Sequence, residues 1–327
     1  MKRLIKKLVQ GSVAAVAPAL WRFRDGSLLV IMYHRVLPAD HPDRATEQPG
    51  MYVSPETLAM HLETLKRHFT LVHLDDWLDF AQSDQPLPRN ACAITFDDGW
   101  RDNYQYAFPI LKRAGAPATI YLVSDLIGTR YSFWPNTLAR VLASQDVGVR
   151  QSLPAWLRDM LPGSGEALSP EEIDSVIARC KSRSDVELLE ALAAFESPAE
   201  GDARDLMSWQ EILEMQASGL VRFGSHTRRH SRVSKIEDAG VLREDVLGSA
   251  QVLAARLGTA PVTFCYPNGD TSAPAVQLVR NGYRGAVTTA RGWNGPATDR
   301  HLLNRVGVHE DVANTPTAFL SRLAGVG

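Results

Sequence analysis

The chain has few cysteines, and none of them lies in a pattern that binds a metal. Only Cys92, Cys180 and Cys265 occur among the 327 residues, with no CxxC spacing. This excludes a zinc site built from paired thiolates, and an odd count provides no disulfide framework, which weakly favours a reducing compartment. Cys92 and Cys265 lie within apolar runs, where a buried thiol behaves as a small hydrophobic group.

An excess of charge and a long apolar segment are also missing. The formal net charge is -2 and 22% of the residues are charged, which is ordinary for a globular protein. We therefore expect no nucleic-acid partner, because no overall basic field would attract one. The apolar stretch Leu8–Leu20 is interrupted by polar residues and by Pro18, and it is too short to span a bilayer.

Residues 1–27 form a basic segment that we predict to be a helix, with four cations near its start: Lys2, Arg3, Lys6 and Lys7. It either covers one end of the fold or lies on a membrane surface through residues 1–24. A cleaved export signal is a third interpretation, although Pro18 would directly follow the small-residue cleavage site. We expect a cytoplasmic or membrane-peripheral protein, with a periplasmic or exported one as the alternative.

Short, continuous apolar runs predict buried strands of a parallel sheet, because strands covered on both faces do not alternate between polar and apolar residues. The runs are Leu28–Tyr33, Ala91–Phe96, Ala118–Val123, Val221–Gly224, Val262–Tyr266 and Gly285–Thr288. Helix-like segments lie between them, namely Ser54–His68, Ile212–Ala217, Glu237–Leu257 and Ala273–Asn281. Ser54 is the predicted cap of the first, with Pro55 at its first position, and Ser208 and Glu211 are a predicted capping box ahead of the second. This alternation of strands and helices predicts an α/β barrel or an open α/β sheet.

One region interrupts the alternation. Residues 128–205 are rich in helix-like segments, so we interpret them as an insertion into a barrel that occupies residues 28–327. An insertion at the end of a barrel strand can form a lid or a wall for the substrate. A helical decoration that only covers the core is an equal alternative.

Reactive side chains follow four of the predicted strands. His34 follows the first, Asp97 and Asp98 follow the second, and His226 follows the fourth, with His230 four residues later. The fifth runs into Tyr266-Pro267-Asn268-Gly269, which by itself is an ordinary strand-ending turn. Because the carboxyl ends of barrel strands converge on one face, we expect these groups to be neighbours in space.

The two adjacent carboxylates of Asp97 and Asp98 repel each other unless a cation lies nearby. A division of roles would resolve this, with one carboxylate binding a metal and the other acting as a base. The alternative is a solvated turn in which an aspartate caps a helix. His226 and His230 can face one ion if their segment is tightly turned, which with a carboxylate makes a site with open positions. The alternative there is a pair of surface histidines in a basic loop.

The combination of these motifs resembles the polysaccharide deacetylases, carbohydrate esterase family four. Thr95–Gly99 (TFDDG) is similar to the first family motif, Ser225–His230 (SHTRRH) to the second and Phe264–Gly269 (FCYPNG) to the third. The resemblance covers about residues 28–128 and 206–310 and leaves the insertion outside. It implies a distorted (β/α)7 barrel.

The resemblance also implies roles for individual residues. Asp98, His226 and His230 would bind a divalent metal, usually zinc, and Asp97 would be the general base. His34 in the sequence Met32-Tyr33-His34-Arg35-Val36 looks like the catalytic acid of those members that take it from an N-terminal strand. The backbone N–H of Tyr266, followed by Pro267 and Asn268, would contact the substrate and its oxyanion.

The chain departs from the family pattern in its third motif. Cys265 stands where the family usually has an arginine that holds the base aspartate, and Arg305 in a later strand-like run is our candidate to replace it. Asn268 stands where an aromatic residue is common, and an asparagine has no ring on which a sugar could stack. A C-terminal Leu-x-His motif of the usual kind is also missing, so the acid role is assigned to His34.

We therefore expect a metal-dependent hydrolase that removes N-acetyl groups from the amino sugars of a polysaccharide or glycan. One alternative is a deacetylase or deformylase of a lipid-linked or nucleotide-linked sugar, which the basic N-terminal helix would suit. Another is an amidase of non-sugar substrates with the same fold. A carbohydrate-binding protein with a dead site is disfavoured, because such a site needs none of the four carboxylate and imidazole groups.

Overall fold

The structure is a computed structural model, and it describes residues 2–21, 26–83, 87–162, 168–195 and 204–326. The strands within these residues are β1 (Leu28–Tyr33), β2 (Arg35–Val36), β3 (Tyr52–Val53), β4 (Thr70–Leu71), β5 (Ala91–Phe96), β6 (Ala118–Leu122), β7 (Val221–Ser225), β8 (Thr263–Cys265), β9 (Gly285–Arg291) and β10 (Leu303–Gly307).

The α-helices within the same residues are α1 (Lys2–Trp21), α2 (Pro55–His68), α3 (Leu74–Gln82), α4 (Phe108–Ala114), α5 (Trp134–Ala143), α6 (Val147–Gln151), α7 (Ala155–Arg158), α8 (Pro170–Cys180), α9 (Asp185–Leu192), α10 (Trp209–Ala217), α11 (Ala239–Arg243), α12 (Ser249–Leu257), α13 (Ala273–Gly282), α14 (Glu310–Ala313) and α15 (Pro316–Leu323). Two π-helical turns, Asn103–Ala107 and Glu244–Gly248, lead into α4 and α12.

Seven parallel strands close into a barrel. Going round it, β1 is followed by β10, β9, β8, β7, β6 and β5, and β5 pairs with β1 again. The closing pair is in register along the whole of β1, from Leu28 opposite Ala91 to Tyr33 opposite Phe96. The predicted distorted (β/α)7 barrel is therefore confirmed.

Burial on both faces explains why the strands are continuously apolar. Leu29 and Ile31 of β1 belong to the cluster between the barrel and its helices, whereas Leu28 and Val30 belong to a second cluster formed mainly by strand residues. Successive side chains of a strand point to opposite faces, so both sets must be hydrophobic.

Local capping signals define where the helices begin. The Ser54 hydroxyl accepts a hydrogen bond from the Thr57 N–H, and Pro55 takes the first position of α2, as the sequence predicts. Ser208 and Glu211 form the predicted capping box of α10. The single long helix predicted over Glu237–Leu257 is instead α11 and α12 joined through the second π-helical turn.

Helices α5 to α9 lie between β6 and β7, within residues 128–205, of which 163–167 and 196–203 are outside the described residues. They pack on a hydrophobic cluster of their own that includes Leu138, Ile173 and Leu188. This helical unit contacts the barrel loops through Asn136 and Asp174, which bond to Glu47 and Gln48. It therefore lies beside the loops at the carboxyl ends of the strands.

Helix α1 packs along α15 and ends in an aromatic cluster. The ring of Trp21 lies 5.0 Å from that of Phe69 and 5.8 Å from that of Trp293. Of the predicted basic segment 1–27, residues 1 and 22–25 are outside the described part of the chain. None of the helices in the described residues combines the length and the apolarity needed to cross a bilayer.

Candidate active site

The predicted reactive groups meet where the barrel strands end. His34 follows β1, Asp97 and Asp98 follow β5, and His226 follows β7. Asp97, Asp98 and His226 are buried, with 5% or less of each residue exposed, whereas His230 is partly buried. The convergence follows from topology, because parallel strands deliver their carboxyl ends to the same face of the barrel.

Asp98 is the centre of a three-residue cluster. Its Oδ1 lies 3.3 Å from Nε2 of His226 and 3.3 Å from Nε2 of His230. A tetrahedral ion with ligand bonds of about 2.0–2.1 Å separates its ligand atoms by about 3.3 Å. Two imidazole nitrogens and one carboxylate oxygen at this spacing fit a divalent ion such as zinc and leave positions open for water and substrate.

The backbone of this cluster adopts conformations that are rare for side-chain-bearing residues. Asp98, Thr227 and His230 have φ of 74°, 64° and 62°. Gly99 also has a positive φ, and a Cβ there would lie 2.8 Å from Ile127 and 2.9 Å from Leu122. Such strain persists only when the surrounding structure enforces it, and it gathers at functional sites.

The partners of Asp98 and His226 set the orientation of their ligand atoms. The indole N–H of Trp100 donates to Oδ2 of Asp98 at 2.9 Å, which leaves Oδ1 to face the histidines. Nδ1 of His226 lies 2.7 Å from the carbonyl oxygen of Cys265, which places the proton on Nδ1 and the free lone pair on Nε2. Burial opposes ionisation of Asp98, yet the neighbouring imidazoles of His226 and His230 hold its pKa well below the ordinary value.

Asp97 is held by Arg305 through a bidentate ion pair. The two guanidinium nitrogens Nη1 and Nη2 donate to Oδ1 and Oδ2, each at 2.7 Å. Arg305 is itself fixed by donating to the Thr288 carbonyl at 2.8 Å and to the Thr95 hydroxyl at 3.2 Å. Burial opposes the charge on Asp97, but Arg305 prevails and lowers its pKa, so this carboxylate is ionised and rigidly oriented at neutral pH.

Strand alternation directs Arg305 into the barrel. It lies two residues after Leu303, which belongs to the same cluster of strand residues as Leu28 and Val30. The pairing with β9 is irregular here, because Leu303 pairs with Val287 and Arg305 with Arg291, but the extra residues lie on β9 and not on β10. A residue 208 positions away in sequence thus reaches Asp97.

Cys265 lies against the same ion pair, with its Sγ 3.2 Å from Nη2 of Arg305. Its thiol, Asp97 and His226 form a second group whose ligand atoms lie within 4.8 Å of one another. Burial raises the pKa of the Cys265 thiol well above its ordinary value, so the thiol stays protonated and is a poor ligand. The cluster around Asp98 is therefore the better metal site.

His34 lies across from Asp97 at the mouth of the site. Its Nε2 is 3.8 Å from Oδ2 of Asp97, and its side chain is 21% exposed, whereas that of Asp97 is 3% exposed. The His34 carbonyl accepts a hydrogen bond from the Asn103 side chain at 2.8 Å, which fixes the backbone at this point. The imidazole is thus placed where it can meet a group that enters from solvent.

The prediction for Tyr266 is wrong. Its backbone N–H donates to the Val287 carbonyl at 3.2 Å in the β8–β9 pairing, so it is not free to bind an oxyanion. Its side chain is buried against Phe264, with the ring centroids 5.1 Å apart, rather than facing the site. Pro267 has no N–H to offer, and the exposed Asn268, with φ of 56°, stays a predicted substrate contact.

Two aromatic residues of the site were missed by the sequence-based interpretation. Trp100 directly follows the TFDDG motif, and its position after Gly99 was the signal that could have found it. Phe133 comes from the helical unit, where its ring lies 5.0 Å from that of Trp100 and 5.1 Å from that of His230. Residues 128–205 therefore contact the site through Phe133.

Comparison with known proteins gives a consistent result. A family model described as polysaccharide deacetylase matches residues 84–285. YxkH of Bacillus subtilis (strain 168), provisionally named as a polysaccharide deacetylase, is 29% identical over 110 residues, which cover 33% of this chain and 36% of YxkH. A Staphylococcus aureus (strain MSSA476) poly-β-1,6-N-acetyl-D-glucosamine N-deacetylase is 26% identical over 120 residues, 34% of this chain and 41% of that protein. The matches thus span about two fifths or less of these curated relatives.

Among solved structures, the Streptococcus pyogenes deacetylase PplD in complex with acetate is similar in fold. The TM-score is 0.61 at 18% identity, and the match covers 91% of this chain and 99% of PplD. At this level of identity the likeness establishes the barrel fold alone.

Proposed function

The chain belongs to the polysaccharide deacetylase family, and on this premise we propose that it is a metal-dependent hydrolase that removes N-acetyl groups from the amino sugars of a polysaccharide or glycan. The observation that carries the proposal is that a cluster of metal-binding side chains and an oriented carboxylate lie side by side at the carboxyl ends of the barrel strands. Asp98, His226 and His230 converge at metal-ligand spacing, and Asp97 is held beside them by Arg305.

Asp98, His226 and His230 would hold the ion, which we propose to be zinc. When bound, it supplies the Lewis acidity that makes water a stronger acid and an acyl carbon a better electrophile. The remaining chemistry falls to side chains of the chain itself.

Asp97 takes a proton from the attacking water as the water oxygen bonds to the acyl carbon. The bidentate pair with Arg305 keeps its carboxylate ionised and aimed, although a lowered pKa also makes it a weaker base. The ion pair with Arg305 therefore gives Asp97 a fixed orientation and a lower basicity.

His34 completes the reaction by donating a proton to the nitrogen as the carbon–nitrogen bond breaks, which releases acetate and a free amino sugar. An amide needs this help, because an unprotonated amine anion is a very poor leaving group. The 3.8 Å separation between Nε2 of His34 and Oδ2 of Asp97 lets the acid and the base reach one amide group from two sides.

Acetate release from a panel of N-acetylated substrates tests the function. We expect oligomers of N-acetylglucosamine to be deacetylated, and β-1,6-linked oligomers come first in the panel because the Staphylococcus aureus relative is named for that polymer. A chelator should abolish the reaction and added Zn²⁺ should restore it. Release only from a lipid-linked sugar, a nucleotide-linked sugar or a non-sugar amide would replace the glycan by that substrate.

We further propose that α1 contacts an anionic membrane surface. Val9, Val16 and Leu20 are 45%, 54% and 59% exposed, and their spacing of seven and four residues puts them on one face of the helix. The helix contains no acidic residue, and its first two turns hold Lys2, Arg3, Lys6 and Lys7. Exposed apolar residues in a segment whose sequence also contains several cations are typical of helices that lie in a lipid interface.

Vesicle co-sedimentation tests this contact. We expect the full chain to bind vesicles that contain phosphatidylglycerol and to bind pure phosphatidylcholine vesicles less. Changing Val9, Val16 and Leu20 together to Gln should weaken binding about tenfold or more, because their apolar surface no longer enters the lipid.

A matched triple variant controls for the loss of exposed apolar surface. Val186, Val241 and Leu213 are 64%, 55% and 44% exposed and lie outside α1. Their change to Gln should leave vesicle binding unaltered. An equal loss of vesicle binding in both triple variants would contradict a membrane contact through α1. Vesicle binding that does not depend on lipid charge would contradict it as well.

A further inference from the structure

Arg35, the residue after the proposed acid, is a buried cation that is held on all sides. It is 3% exposed. Its Nε donates to Asp102 at 2.8 Å, Nη2 donates to Asp43 at 2.7 Å and Nη1 donates to Glu47 at 2.5 Å. With each of its three nitrogens bonded to a carboxylate, the planar guanidinium has one orientation.

This network fixes the backbone that bears His34. Asp102 accepts from the Arg35 side chain through Oδ2 and from the Val36 N–H through Oδ1 at 2.8 Å. The Asn103 amide donates both to Asp102, at 3.1 Å, and to the carbonyl of His34, at 2.8 Å. Residues 34–36 are therefore held to the turn that follows β5, which also bears Asp97.

The same guanidinium contacts the metal cluster through an indole. It lies over the ring of Trp100, 4.2 Å from the ring centroid, and Trp100 is 1% exposed. The Trp100 N–H in turn donates to Oδ2 of Asp98 at 2.9 Å. A buried ring in contact with both Arg35 and Phe133 cannot rotate freely, so its N–H stays aimed at the carboxylate.

We propose that Arg35 is a positioning residue of the hydrolase: it orients Asp98 for the ion through Trp100 and holds His34 beside Asp97. Glu47 extends this network into the helical unit, because its Oε2 also accepts from Asn136 of α5 at 3.0 Å. The inference rests on the proposed function, since it takes Asp98 as a ligand and His34 as the acid. One side chain then sets both the affinity for the ion and the placement of the proton donor.

Conservative variants separate the two effects. Trp100→Phe keeps a ring under Arg35 but removes the N–H, so the Kd for Zn²⁺ should rise about 10–100-fold. Arg35→Lys keeps the positive charge but loses the several N–H donors of the guanidinium and the planar group that lies over Trp100. It should raise the Kd for Zn²⁺ by a similar factor, and it should also lower kcat at saturating Zn²⁺ by more than Trp100→Phe does, because His34 is displaced as well.

Zn²⁺ affinity is measured by competition with a chromophoric chelator, and kcat by acetate release with saturating Zn²⁺. If Arg35 acts on the ion through Trp100, the variant with both Arg35→Lys and Trp100→Phe should bind Zn²⁺ about as weakly as either single variant. Each change alone already removes the same chain of contacts from Arg35 to Asp98. Arg222→Lys is the matched control. Arg222 pairs with Asp76 at 2.6 Å on the opposite end of its strand from His226, and both readouts should stay at the wild-type level.

Three results would overturn the proposal. The first is a Trp100→Phe variant that binds Zn²⁺ with wild-type affinity. The second is an Arg35→Lys variant with wild-type Zn²⁺ affinity and wild-type kcat. The third is a variant with both changes whose loss of Zn²⁺ affinity is the sum of the two single losses. If Arg35→Lys does not fold, as thermal unfolding would show, Trp100→Phe still decides the path to the ion. A wild-type protein that binds no Zn²⁺ would instead reject the proposed function itself, so the two failures are distinguishable.

Discussion

The Asp97→Asn variant is expected to bind the divalent ion and to hydrolyse the amide about 10²–10⁴-fold more slowly, the range that general acid–base catalysis supplies. Asparagine has nearly the same shape as aspartate, and Asp98, His226 and His230 remain in place. Its amide, however, cannot take the proton of the attacking water. The measurement is kcat for acetate release at saturating Zn²⁺, together with metal content by elemental analysis.

The same substitution has a structural cost that must be measured separately. An asparagine can accept only one of the two bonds that Arg305 donates to Asp97, so a buried guanidinium is left without its counter-ion. Breaking a buried ion pair in this way costs about 3–5 kcal/mol. Kinetics should therefore be measured well below the unfolding temperature of the variant.

Asp75→Asn is the control for this cost. Asp75 is a buried carboxylate, 7% exposed, that lies 3.7 Å from Arg222 and outside the site. This variant should keep wild-type kcat. Near wild-type turnover in Asp97→Asn would show that another group is the base, and loss of metal in it would assign Asp97 to the ligand set.

The His226→Ala variant is expected to lose the ion and, with it, activity. His226 is 2% exposed and uses both ring nitrogens, one towards the Cys265 carbonyl and one towards the cluster around Asp98. Removing one of three protein ligands should weaken Zn²⁺ binding on the order of 10²–10³-fold, since a four-ligand site contributes about 10–16 kcal/mol in all. Elemental analysis after dialysis, and Zn²⁺ titration, measure the effect.

His301→Ala is the matched control for the loss of a buried imidazole. His301 is 4% exposed, and its Nε2 lies 3.0 Å from the Tyr283 carbonyl, away from the strand ends that bear the site. Its variant should bind Zn²⁺ like the wild type. Full metal occupancy in His226→Ala would overturn the ligand set, even if the activity were lost.

The interpretation from sequence succeeded for the barrel strands and the helix starts, which depend on short local segments. Apolar runs such as Ala91–Phe96 predicted the strands, because a strand buried on both faces must be apolar throughout. Their order then predicted that Asp97, Asp98 and His226 would meet, because parallel strands end on one face. Capping residues such as Ser54 and Ser208 predicted helix starts for the same local reason.

The interpretation failed at Tyr266 because backbone hydrogen bonds depend on a neighbouring strand. Whether its N–H is free is decided by the register between β8 and β9, where the Val287 carbonyl takes it. The sequence of β8 contains no information on that register. The structure thus removed one predicted oxyanion donor that the motif had suggested.

By itself, the sequence determined the barrel strands, the reactive groups at their ends and the likeness to polysaccharide deacetylases, because each depends on short segments. Only the tertiary structure decided which charges meet. Arg305 of β10 reaches Asp97 beyond β5, and Arg35 of β2 lies over the ring of Trp100. Such contacts join residues far apart in the chain, and their geometry exists only once the barrel has closed and buried them.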